Sequence, residues 1–153
     1  MRIYSLLLLL FGYIVCATPA AYAQEELTVE EVTDGESLVL SDGRRVRLIG
    51  IRTPVSGSDV TDLDYGRRAQ EYLVSLVIDR TVRTEIDLMN DITHHHDSEG
   101  RFLAYVYTGD VLVNEEMVRE GYAEAFAKFR FRYRDRFQAL EQTARDQGEG
   151  LWA

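Results

Sequence analysis

The sequence predicts a mainly β, α+β domain built from five short strands and three helices. Three observations support that class. Between Leu27 and Ile51, and again between Thr81 and Val113, apolar residues alternate or cluster in short runs. Asp34-Gly35, Asp42-Gly43 and Thr108-Gly109-Asp110 punctuate those runs with turn chemistry. Two other stretches, Asp64 to about Val77 and Arg134 to Gln147, place their apolar residues at helical spacing. A chain of 153 residues is long enough for one such domain with a real core.

The first strand is Leu27-Thr28-Val29 with Val32, and the second is Leu38-Val39-Leu40. Asp42-Gly43 reads as a two-residue hairpin turn, whose positive φ angles suit those residues. Val46 to Ile51 forms the third strand, terminated by Pro54. Val55 to Leu63 is polar and rich in Gly, Ser and Asp, so it makes a loop. In the helix that follows, Ala69, Tyr72, Leu73, Leu76 and Val77 share one face, while Gly66 costs it about 1 kcal/mol. Thr81 to Ile86 is the fourth strand and Phe102 to Tyr107 the fifth, with a polar loop from Asp87 to Gly100 between them.

Asn114 is placed to cap a short helix whose first turn carries Glu115 and Glu116, and Gly121 ends it. Phe137, Leu140 and Ala144 line the last helix, after which Leu151-Trp152 returns the terminus to the core. This order of elements fits a small closed barrel of OB type and a generic α+β sandwich almost equally well.

Residues 1–23 read as a secretory signal peptide, leaving 24–153 as the domain. Arg2 supplies the positive start, Leu6 to Val15 the apolar run, and Ala21-Tyr22-Ala23 a small-x-small cleavage site before Gln24. The run is shorter than the roughly 20 residues of a membrane span. The expected location is therefore periplasmic or extracellular. Cys16, the single cysteine, lies in that leader. The mature chain then has no disulfide, thiolate nucleophile or cysteine metal site. Lipid attachment at Cys16 is the lesser reading, because Tyr13-Ile14-Val15 lacks the small residue such processing requires. The formal charge of −9 opposes a general polyanion binder at long range, although a local basic cleft would override it.

Several stretches, in order, are similar to the staphylococcal nuclease (thermonuclease) family. They are Asp34-Gly35-Glu36-Ser37, Val46 to Ile51 before Thr53-Pro54, Gly66-Arg67-Arg68-Ala69, and Gly100-Arg101 before Leu103-Ala104-Tyr105-Val106. Val113-Asn114, Val118 to Ala123 and Gly150-Leu151-Trp152 complete the set. The resemblance implies a five-stranded OB barrel with three helices, and it implies calcium-dependent cleavage of phosphodiester bonds in DNA and RNA.

That chemistry needs carboxylates to hold a hard cation, a base to activate water, and cationic forks to stabilise the transition state. The resemblance places the two forks at Arg47 and Arg101. The first metal carboxylate is Glu36, longer than the family's aspartate, and the second is replaced by Arg52. A charge reversal about 4 Å from a cation is worth roughly 4 kcal/mol per unit-charge pair at an effective dielectric near 20, so calcium binding is expected to be lost. Val55 stands in place of the general base and Glu99 in place of the tyrosine before Gly-Arg. The family's stacking tyrosines fall near Phe126 to Phe129. The expectation is that the Arg52 guanidinium fills the calcium position and pairs with Glu36.

Two further features carry candidate chemistry. His94 and His96, with Asp97 or Glu99, would reach one metal ion from an extended loop, but a solvated polar loop is the safer reading. Lys128, Arg130, Arg132 and Arg134 interleave with Phe129, Phe131 and Tyr133, a pattern that suits single-stranded nucleic acid. The preferred alternative packs the aromatics inward and leaves the bases solvated.

The function expected from sequence is an exported, non-catalytic binding module, monomeric and without a cofactor. Its partner would be a protein, an anionic ligand or a single-stranded nucleic acid. The competing expectation is a divergent secreted nuclease in which Asp59, Asp62 or Asp64 restores the missing carboxylates. Metal sequestration by the histidine loop is the weakest of the three.

Overall fold

The computed structural model describes residues 26–53, 60–89 and 94–153. The strands are β1 (Glu26–Asp34), β2 (Ser37–Leu40), β3 (Arg45–Leu48), β4 (Ile51–Arg52), β5 (Thr81–Glu85), β6 (Phe102–Thr108), β7 (Val111–Leu112) and β8 (Glu124–Ala125). The helices are α1 (Val60–Val77), α2 (Val113–Arg119) and α3 (Arg134–Gln147), followed by a 3-10 turn at Gly150–Trp152. Antiparallel pairing runs β3-β2-β1-β5-β6, and a parallel β3–β6 ladder joins the two ends. The result is a closed five-stranded barrel with three helices, the OB-type architecture. Closure leaves no free edge on those five strands.

Alternation fills the barrel. Leu38 and Leu40 of β2, Val46 and Leu48 of β3, Val82 of β5, and Ala104 and Val106 of β6 are all buried. Leu73 and Val77 of α1, Met117 of α2 and Phe137 of α3 close the core from outside. Arg134 to Gln147 is the helix the periodicity predicts, and Gly148 caps it in the left-handed conformation at φ 67°.

Four local expectations differ from the structure. The β2–β3 hairpin has a three-residue loop, because Leu40 N–H donates to the Arg44 carbonyl at 3.0 Å and only Gly43 has positive φ. A type I turn followed by a left-handed glycine accounts for it. The third strand breaks at Gly50, whose φ is 79° and whose missing side chain leaves room for the Phe131 ring. Ile51-Arg52 then pairs with β8 instead of continuing the barrel. The first helix begins at Val60, four residues before Asp64.

Asn114 caps nothing. It is fully buried, its Oδ1 accepts the Val106 N–H at 2.9 Å, and its Nδ2 donates to the Ile49 and Ala104 carbonyls at 3.0 and 3.1 Å. Those main-chain groups lie where β3 leaves the sheet, and burying them unpaired costs more than a cap returns.

Candidate anion-holding site on the barrel

The β1–β2 turn sets the first side chain of the site. Asp34 accepts the Glu36 N–H at 2.8 Å, and a Cβ on Gly35 would stand 2.7 Å from Ala69 and 2.8 Å from Thr53. Only glycine lets the turn approach α1 and Thr53 this closely. Glu36 is thereby carried inward, to 6% exposure. Its Oε1 accepts Nη2 of Arg47 at 2.8 Å and Nε at 3.1 Å, and its Oε2 accepts the Thr53 N–H at 2.8 Å. Burial raises the Glu36 carboxyl above its ordinary value, against the opposing pull of Arg47 and the Thr53 N–H.

Arg101 reaches the same corner from the start of β6. Its Nη1 donates to Ser37 Oγ at 3.2 Å, and Ser37 is the register partner of Arg47. The two arginines named from sequence therefore converge on residues 36–37. Each is already matched with acid. Asp97 accepts Arg101 Nε at 2.7 Å and the Arg101 and Glu99 N–H groups at 2.9 Å, while Glu99 lies 3.4 Å from Arg101 Nη2. Burial acts to raise the Asp97 carboxyl, but these hydrogen bonds outweigh it and hold the group below its ordinary value.

Beside Arg47 opens a cavity of about 270 Å³ walled by Ile49, Ile51, Leu103, Phe126 and Phe129. Phe126 and Phe129 meet edge to face at 5.6 Å. A flat apolar group fits these walls, with Arg47 at one side to receive a negative charge.

Arg52 does not pair with Glu36. Ile51 is buried, so strand alternation turns Arg52 outward, and the β4–β8 register sets it opposite Glu124, which it meets at 2.6 Å. Its guanidinium also lies 5.6 Å from the Phe126 ring. Arg47 takes the place on Glu36 that sequence reasoning gives to Arg52. Val55 and Asp59 lie outside the described residues, as does the side chain of Asp62. Asp64 is held by Arg67 at 2.6 Å on the exposed face of α1.

A calcium ion requires six to eight oxygen ligands. Both oxygens of Glu36 are engaged, position 52 offers no carboxylate, and among the described residues no three acidic, histidine or cysteine side chains gather to hold a metal. The described residues alone do not supply such a donor set. The histidine loop is not extended either. His94 and His95 have φ of 49° and 60°, and His96 Nδ1 lies 2.8 Å from the His94 carbonyl, with its ring against Phe102. With two residues in the left-handed conformation, the segment is a turn and not the extended run that a shared ion would need.

In the basic strip, Phe131 is buried and Phe129 and Tyr133 half-buried, while Lys128, Arg130 and Arg132 are exposed. Lys128 sits 5.7 Å from the Phe126 ring, and Arg132 pairs with Glu85. Sequence reasoning misses Asp87, which reads there as the first residue of a loop. Its buried carboxylate accepts the Tyr105 hydroxyl, the Arg132 N–H at 2.6 Å and the Met89 N–H at 2.7 Å, tying the strip to the barrel. Nothing in its sequence neighbourhood marks that role.

Residues 45–153 match the family described as staphylococcal nuclease homologue. The chain belongs to the staphylococcal nuclease family. It is 32% identical to the thermonuclease of Staphylococcus intermedius over 133 residues, 84% of this chain and 76% of that protein. With the thermonuclease of Staphylococcus hyicus it shares 28% over 135 residues, 85% of this chain and 77% of the relative. Endonuclease YncB of Bacillus subtilis (strain 168) is 28% identical over 145 residues, 89% and 67% of the two chains. Within this staphylococcal nuclease homologue, the barrel places Arg47 and Arg101 together, and the corner between them is filled by the protein's own acids.

Proposed function

We propose that this domain is an exported, monomeric binding module that retains an anion-holding corner of the staphylococcal nuclease barrel but has lost calcium-dependent phosphodiester cleavage. One observation carries the reading. Both Glu36 oxygens are spent on Arg47 and Thr53, while the position of a second metal carboxylate is held by Arg52, whose side chain is turned away to Glu124. A cation arriving there meets the Arg47 guanidinium already on Glu36 and, among the described residues, no free carboxylate. Export rests on the leader-like residues 1–23. The ligand class is anionic and partly flat, from Arg47 beside an aromatic-walled cavity.

The test is cleavage of DNA and RNA by the purified protein, with calcium and with chelator, alongside calorimetric titration of calcium. The expected results are no calcium-dependent turnover and no saturable single-site heat. Turnover that needs calcium and disappears in Arg47→Ala or Arg101→Ala overturns the proposal.

A second reading, a divergent nuclease, draws on the convergence of Arg47 and Arg101 on residues 36–37 and on relatives named thermonuclease and endonuclease. In that reading Asp59 or Asp62 supplies the missing carboxylate, and Asp59→Asn or Asp62→Asn would abolish the turnover.

A further inference from the structure

We propose that the cavity between the β6–β7 turn, α2 and the start of α3 binds a neutral polyhydroxyl ligand, one ring of a saccharide, against Glu115. The cavity measures about 320 Å³, the size of a small-molecule site, and it shares no lining residue with the cavity beside Arg47. Val111, Leu112 and the half-buried Tyr107 and Tyr133 supply its apolar surface. The two tyrosine hydroxyls lie 3.4 Å apart.

Glu115 carries the argument. Its side chain is 5% exposed and lines the cavity, yet the fold uses only one of its carboxylate oxygens. Oε1 accepts Arg136 Nη2 at 2.7 Å and a second guanidinium N–H from Arg119. Oε2 is buried and has no donor among the described residues. A buried acceptor on a charged group is costly to leave unpaired, so a ligand that donates to it gains what the fold leaves unmade.

The walls select the donor. A phosphate or carboxylate brings no proton at neutral pH and would face Asp110, Glu115 and Glu116. An ammonium can donate, but it would stand beside two guanidinium groups already on the same carboxylate. Three acids against two arginines leave too little net charge to favour an ion of either sign. A hydroxyl suits mixed walls, because it donates to a carboxylate and accepts from a guanidinium at once. Neighbouring hydroxyls of one ring can therefore serve Glu115 Oε2 and Asp110, which forms no ion pair among the described residues. Arg136, 60% exposed, is free to turn its remaining N–H groups to the ligand, and Val111 at 45% exposure offers a surface to ring C–H groups. The inference does not rest on the anionic ligand class proposed above.

The experiment follows amide NMR shifts of the isotope-labelled protein titrated with methyl glucoside, methyl galactoside, N-acetylglucosamine and maltotriose. At least one sugar should give saturable shifts concentrated at residues 110–116 and 133–136, with residues 45–52 unmoved. Glu115→Gln should weaken that binding about tenfold, since a neutral acceptor replaces a charged one. Asp110→Ala should weaken it about threefold and, at an exposed position, tests the idea should Glu115→Gln fail to fold. Arg67→Ala should leave it unchanged. Maltotriose binding more tightly than methyl glucoside would identify a ring within a chain, and equal affinity a free sugar; both support the inference. No saturable shift with any of these sugars overturns it, as does a response indifferent to Glu115→Gln and Asp110→Ala. Spermidine or N-acetylglycinamide shifting the same amides while the sugars do not would assign the cavity to a cationic or peptide ligand and overturn it too.

Discussion

At the β1–β2 corner Arg47 and Arg101 are matched by Glu36, Asp97 and Glu99, whereas at the head of α3 Arg130 and Arg134 form no ion pair among the described residues, although Asp135 lines a cavity with them. The same side chain therefore plays two parts in one molecule. In the corner, guanidinium and carboxylate are buried together and belong to the fold, so a ligand has to compete with an existing partner. At the head of α3 no described residue pairs with Arg130 or Arg134, so their charge is not matched within the fold as the corner's is. Identity at a motif position is thus weaker evidence of binding than the partner that the fold supplies.

The largest expected effect follows from breaking the corner. Arg47→Ala leaves the Glu36 carboxylate buried without its cation and should destabilise the protein by about 3 kcal/mol in a urea melt. Replacing both partners, with Arg47→Met and Glu36→Gln, should return most of that loss, since paired removal leaves no orphaned charge. Equal losses in the single and double variants would show that Glu36 and Arg47 are not coupled, and the comparison with the α3 region would fail.

Asp97 gives a smaller effect and a pH signature. It accepts three hydrogen bonds that fix Arg101 and the turn before β6, so Asp97→Asn should cost about 1–2 kcal/mol. Its carboxyl is held below the ordinary value of 3.8. A depressed acid contributes stability that is complete above its unfolded value and is lost as pH falls through the folded one. Wild type and Asp97→Asn should therefore keep a constant stability difference from neutral pH to about pH 5, and converge below 3.8. Convergence that begins near neutral pH would place the effect elsewhere.

The barrel is legible in the sequence because its strands obey period two and its turns use Gly and Asp, both local signals. The two arginines can be named from the motif alone. What escapes is pairing across the fold. Motif positions match Arg52 with Glu36 because both stand at metal-ligand positions of the family, yet the partner of Arg52 is Glu124, brought near only by the β4–β8 pairing. Asn114 looks like a cap because it precedes a helix, and only the parallel β3–β6 closure shows the three main-chain groups that it serves. Asp87 is the same case, since its partners at 105 and 132 are distant in sequence. Periodicity reports which way a residue faces, and long-range pairing decides what it faces.

Arg52 supplies the smallest effect and the sharpest check on that lesson. Its side chain is 46% exposed and that of Glu124 31%, so their ion pair is screened and entropically costly to hold. Arg52→Ala should change stability by less than about 1 kcal/mol, and added salt should erase the difference. Had Arg52 been the buried partner of Glu36, the same substitution would cost several-fold more and salt would hardly matter. A double-mutant cycle separates the two cases. Coupling of Arg52 to Glu124 and not to Glu36 supports the β4–β8 pairing, and coupling to Glu36 would set Arg52 against Glu36 as the motif positions suggest.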